Sequence, residues 1–143
     1  MRRRSGDNWI RIDDMAVSGA RPFGNIVLQT FANRDFLQAH ATDEQLLAVK
    51  PKMSPDAQLD QQLRPSEKGW QLTSLTLRLT SGVMFSQSLQ PLVADFVGAC
   101  DGSRTLAELT EALAGKVNAS LDQVRRECLV VMRQLIERGF VCV

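Results

Sequence analysis

An α+β fold follows from three features of the 143-residue sequence. The last third carries three helix patterns in succession, closed by a short apolar strand. An alternating run, "WQLTSLTLRLT", stands ahead of them. Before both lies a segment of mixed strand and helix signals. The expected architecture is a C-terminal three-helix unit with a small antiparallel sheet, residues 66–143, packed on an N-terminal strand/helix segment, residues 1–65.

From the N-terminus, "NWIRIDDM" alternates Trp9 and Arg11 against Ile10 and Ile12 and reads as a strand. Asp13 and Asp14 follow it. Adjacent strand residues face opposite ways, so these carboxylates do not converge and read as a turn or cap. "RPFGNIVLQTFANRDFLQAH" reads either as strand then helix or as one helix broken near Asn33. Thr42 with Gln45 gives a capping signal before "LLAV". Pro51 and Pro55 make "KPKMSPDAQ" a break or linker. "QLDQQLRPSEKGWQL" reads as a hairpin with Pro65 to Gly69 as its loop. In the alternating run Leu72, Leu75, Leu77 and Leu79 are apolar. The last three alternate strictly, so one face should cover the helices.

The C-terminal third is the most legible. Pro91 suits the first position of a helix, where its missing N–H would have no partner anyway. Leu92, Val93, Phe96 and Val97 give that helix one apolar face, and Asp101-Gly102 ends it in a turn. Thr105 and Glu108 form a capping box, in which each side chain satisfies the other residue's amide. Leu106, Leu109 and Leu113 line the next helix, which Gly115 is placed to end. Ser120 and Gln123 offer a second box. Behind it Leu121, Val124, Cys128, Val131, Met132, Leu135 and Ile136 keep helical spacing up to Gly139, and "FVCV" reads as a strand. Three helices then a strand, behind an alternating run, is the order of a winged helix-turn-helix. The C-terminal unit is therefore expected to be winged-helix-like.

Composition bounds the function. A chain of this length buries roughly two-thirds of its unfolded surface and folds without disulfide or metal. Hydrophobic residues make up 44% and charged residues 23%, ordinary values for a globular protein, and the net charge is +1. Such balance is unlike a general binder of nucleic acid or membranes. No apolar run approaches the roughly 20 residues that span a bilayer. "MRRRSGDNWI" has a basic start with no apolar stretch behind it, so no signal peptide is read and a cytoplasmic location is expected. Cys100, Cys128 and Cys142 are odd in number and never spaced C-x-x-C, which points to buried or half-buried free thiols.

Catalytic and cofactor motifs are not found. His40 has no second histidine or paired cysteines to share a metal with. "SGARPFG" lacks the remaining positions of a phosphate cradle, and no G-x-S-x-G is present. Asp101 reads as a turn former before Gly102. The third helix carries Arg125, Arg126 and Arg133, which raises DNA binding. Against it, residues 91–143 hold six Lys/Arg and seven Asp/Glu, and Asp122 stands in the first turn of the candidate recognition helix. Nucleic acid is therefore not the expected partner. Val83, Met84 and Phe85 follow Gly82 in a wing or loop, where the chain alone buries them with difficulty. These three are expected to belong to a contact surface or to a core shared with the N-terminal half; with Arg125, Arg126 and Arg133 they are the candidate contact surface.

"GWQLTSLTLRLTSG", "LVADFVGACDGSRTLAELTEALA" and "VMRQLIERGFV" resemble the C-terminal region of a group of bacterial class I S-adenosylmethionine-dependent methyltransferases. Those enzymes are similar to the methylases that modify glutamine in polypeptide release factors. The basic "MRRRSG" reads either as a phosphate-binding arm or as the frayed end of a strand; "RRRSGDNWIRIDDM" matches the point where the last strand of their catalytic domain leads into the tail, and this resemblance favours the second reading. The resemblance implies a Rossmann-like catalytic domain as partner, with S-adenosylmethionine bound there and no cofactor in this chain. It implies an accessory role, positioning a protein substrate or stabilising the enzyme. The family's cofactor-binding glycine motif and its Asn-Pro-Pro-Tyr motif have no counterpart here, so no catalytic or cofactor residue carries over. A second resemblance, on "DG.rT..el" and "L...GF", is to the peptide-binding winged-helix domains of modified-peptide biosynthesis. It implies capture of a peptide as an added strand, along "TSLTLRLT" and the groove of the third helix.

Overall fold

The computed structural model describes Ile12 and residues 23–143. The strand read at "NWIRIDDM", with Asp13-Asp14 and the basic "MRRRSG", lies outside the described residues apart from Ile12, which is exposed. Helix α1 (Phe23–Ala39) runs unbroken through Asn33, so neither the strand nor the break expected there forms. An asparagine disrupts a helix when its side chain competes for the main chain. Here Gln29 Nε2 donates to Asn33 Oδ1 at 2.8 Å, one turn back, and that competition is removed. Past the end of α1 the His40 ring stacks on Phe36, centroids 4.0 Å apart. Helix α2 (Asp43–Leu47) starts on a complete Thr42–Gln45 capping box.

The segment expected as a break or linker does separate α2 from the hairpin that follows, but it is structured. It supplies β1 (Lys52–Met53) and, past Pro55, the start of β2 (Ala57–Ser66). β2, β3 (Gly69–Leu79) and β4 (Ser86–Ser88) form an antiparallel sheet in that order. The hairpin between β2 and β3 turns on Glu67 and Lys68 alone, tighter than the Pro65–Gly69 loop expected. Gly69 takes the positive φ (106°) that closes it. Pro65 is accommodated because β2 is an edge strand, where a missing N–H breaks no ladder. Register shifts between Gln62 and Leu63: Gln62 faces Ser74 but Leu63 faces Leu72. Thr73 is the extra residue of this bulge, and its hydroxyl donates to Gln62 O at 3.0 Å.

Helix α3 (Pro91–Gly98) ends at the Asp101-Gly102 turn, where Asp101 Oδ1 accepts from the Ser103 N–H at 2.8 Å and Gly102 has φ 83°. Helix α4 (Leu106–Val117) has the Thr105–Glu108 box in full. Gly115 does not end it. The helix continues to Val117 and stops at Asn118, which adopts the left-handed conformation (φ 51°) that asparagine tolerates. Helix α5 (Leu121–Glu137) has only half of its expected box. Ser120 accepts from the Gln123 N–H, but the Gln123 side chain turns away to Glu127 at 3.1 Å. Gly139 closes α5 with φ 83°.

β5 (Val141–Cys142) pairs with β1, Lys52 opposite Cys142 and Met53 opposite Val141, while Lys52 bridges Asp101 on its other side. The terminal strand thus joins the former linker rather than the alternating run. Leu75, Leu77 and Leu79 are buried as their spacing predicts. The core gathers Leu77, Phe96, Leu106, Met132, Leu135 and Phe140 around Leu46 of α2. The expected boundary at residue 65/66 falls at the tip of the β2–β3 hairpin.

Candidate protein-contact surface

The bulge at Thr73 decides what the hairpin presents. Leu72 and Leu75 are three residues apart, so a regular strand would put them on opposite faces. The extra residue restores the alternation. Leu59, Leu63 and Pro65 of β2 face Leu77, Leu72 and Trp70 of β3, so one apolar stripe runs from the buried base to the tip. Toward the tip nothing in the described fold covers it. Leu63 and Leu72 are exposed, and Trp70 is 73% exposed. On the other face Arg78 pairs with Asp60 at 2.5 Å.

The residues expected as a contact surface lie elsewhere and do separate things. Val83 and Phe85 are half-buried and line a cavity of about 290 Å³ with Ile26 of α1. Phe85 also packs against the core, and only Met84 of the three is exposed. Val83 and Phe85 thus lie against the N-terminal half, as the second of the two expected roles has it, while Met84 faces outward. On α5, Arg125 pairs with Glu111 of α4 at 2.9 Å, and its Nε is buried with no hydrogen-bond partner among the described residues. Arg133 reaches back to the α1–α2 junction, donating to Ala41 O and Asp43 Oδ1, each at 3.1 Å. Arg126 is exposed. Two of the three arginines are thus committed to contacts within the chain.

The route expected for an added peptide strand along "TSLTLRLT" meets a central strand. β3 carries β2 on one side and β4, at residues 76–78, on the other. A second apolar groove, about 230 Å³, lies between α3 and α5 and includes Phe96, Val124, Cys128 and Val131. Burial, with the Glu127 charge nearby, pushes the Cys128 thiol up to about 11. Burial likewise pushes Cys100 up to about 12. Cys142 is exposed, against expectation, because strand alternation turns Val141 inward and Cys142 out.

Among the described residues no helix is long and apolar enough to cross a membrane. No group of three or more His, Cys, Asp or Glu there could hold a metal ion. Trp70 and Leu63 were not singled out by sequence. An isolated tryptophan near a turn and the three-residue step from Leu72 to Leu75 were the available signals, but that step alone does not tell a bulge from a leucine on the other face.

A search among curated proteins finds no match. A family described as a domain of unknown function, DUF7782, matches residues 28–143, from the second turn of α1 through β5. With that stretch covering most of the sequence, the chain belongs to the DUF7782 family.

Proposed function

We propose that this chain is a non-catalytic accessory domain of an S-adenosylmethionine-dependent methyltransferase, acting by protein contact to position a protein substrate or stabilise the catalytic domain. The exposed apolar stripe of the hairpin carries the reading. Contiguous apolar surface held on a two-stranded arm, with an exposed tryptophan at its tip, has the make-up of an interaction site anchored by an aromatic side chain. The resemblance of the β3 and α3–α5 segments to the C-terminal region of such enzymes supplies the partner. The winged-helix-like reading of the unit is supported by its order: α3, the Asp101 bridge, α4, α5 and β5. In that reading β1 stands where a second wing strand would. Localisation in the cytoplasm belongs to the same proposal.

The test starts from the coding sequence around this chain and the methyltransferase domain it specifies. That catalytic domain, purified, is titrated with the chain and with its Trp70→Ala variant. The expected result is saturable binding that Trp70→Ala weakens by about tenfold or more, the effect of removing a hot-spot tryptophan. Equal affinity of the two chains, or no binding, overturns the reading. Calorimetry of this chain alone with S-adenosylmethionine should register no binding.

A further inference from the structure

We propose that the groove between α1 and β5 receives an extended peptide, which adds to β5 as a strand; this rests on the reading of the chain as a protein-contact module and names the form of ligand it takes. The pairing of β1 sets up the site. Ser54 N–H donates to Phe140 O at 2.8 Å, so residue 140 turns its carbonyl toward β1. Met53 N–H turns the other way, to Cys100 O at 2.9 Å. In an antiparallel ladder bonded and non-bonded pairs alternate, so Val141, opposite Met53, directs its N–H and C=O away from β1. Neither group bonds to any described residue, although Val141 is only 1% exposed. Unpaired main-chain groups at such a depth are rare, because each forfeits its hydrogen bond to water.

Val141 borders the cavity of about 290 Å³, and α1 forms another of its walls. Asn25, Gln29 and Asn33 line it at four-residue intervals, which places three carboxamides in a row along one helix face. Asn33 is 5% exposed; its Oδ1 is taken by Gln29, while its Nδ2 donates to no described residue. Leu79 and Phe85 give the cavity apolar lining. A strand edge and a row of carboxamides both offer donors and acceptors without charge. A peptide main chain, which shows N–H and C=O on both sides, matches the two together, and its alternate side chains reach the apolar lining.

Short random-sequence peptides displayed on phage are selected on the immobilised full chain, and a selected peptide is synthesised and titrated into isotope-labelled chain. Hydrogen exchange at the Val141 amide should slow by about tenfold or more on binding. N-methylation of the peptide at one alternating set of residues should abolish binding, since it removes the donors facing β5. Asn33→Leu should weaken binding about tenfold, the scale of losing one hydrogen bond between uncharged groups. Gln29→Leu, on an exposed residue, checks the same wall if Asn33→Leu fails to fold. Trp70→Ala should leave this affinity unchanged, which separates failure here from failure of the hairpin as a docking arm. Three results overturn the proposal: no selectable binder, binding indifferent to N-methylation at every position, or a Val141 amide already protected in the free chain.

Discussion

At the residue scale the Thr105–Glu108 cap is the most informative pair. Glu108 Oε2 accepts from the Thr105 N–H at 2.7 Å and from its hydroxyl at 3.0 Å. These bonds favour the carboxylate and hold its pKa below the usual 4.5. A depressed folded pKa means that the cap's contribution is complete above the unfolded value. It is then lost as pH falls through the lower, folded one. Thr105→Ala should destabilise by about 1 kcal/mol at neutral pH, measured by chemical denaturation. Glu108→Gln should remove the cap's share of the acid-side loss, so that wild type and variant converge in stability toward pH 3. A gap that stays constant with pH would mean that the carboxylate charge is irrelevant. The cysteines give a second residue-scale outcome. The thiolate is the reactive form, and burial raises the pKa of Cys100 to about 12 and Cys128 to about 11. Iodoacetamide at neutral pH should therefore place one adduct on the folded chain, at exposed Cys142, and three only after unfolding; two adducts on folded chain would mark either α5, at Cys128, or the turn after α3, at Cys100, as open.

At the element scale, local chemistry was legible and register was not. The caps at Thr42, Thr105 and Ser120 all accept the expected amide, because a cap is a contact between residues three apart. Asn118 displaced Gly115 as the stop of α4 because a helix ends where its apolar face runs out. Val117 still packs against the core. Pairing partners of strands are chosen over long distances, so the β1–β5 pair, ninety residues apart in sequence, gave no local signal. The bulge lies between these limits. It can be tested by cross-linking, since residues directly opposite on one face have Cβ atoms about 4.5–5.5 Å apart. The double variant Leu63→Cys with Leu72→Cys should oxidise to an internal disulfide seen by mass spectrometry. Leu63→Cys with Thr73→Cys should not. The reverse outcome would erase the bulge and turn Leu72 and Trp70 to the other face of the sheet. The apolar stripe on which the contact surface rests would then be broken.

For the whole molecule, the question is whether residues 66–143 stand alone, as the most legible part of the sequence suggests. Three ties argue that they do not. Leu46, fully buried, sits in the same core as Leu106 and Met132. β1 completes β5 from outside the segment, and β2 provides the full length of β3's partner. Arg133 fastens the α1–α2 junction to α5 through two carbonyls and Asp43. Removing residues 1–65 would open a cavity at Leu46, where loss of a buried leucine side chain alone costs about 2–5 kcal/mol. It would also bare one edge of β3 and leave β5 unpaired, with main-chain groups that must find water or another chain. Against a typical domain stability of about 5–15 kcal/mol, these losses together are decisive. The full chain should unfold in one cooperative transition, with tryptophan fluorescence and far-ultraviolet circular dichroism coincident. A chain of residues 66–143 should show no cooperative transition and should associate through its uncovered strand edge, as sedimentation would detect. A monomeric fragment that melts cooperatively would instead make the helical unit an independent domain, with α1, α2 and β1 an attachment laid over it.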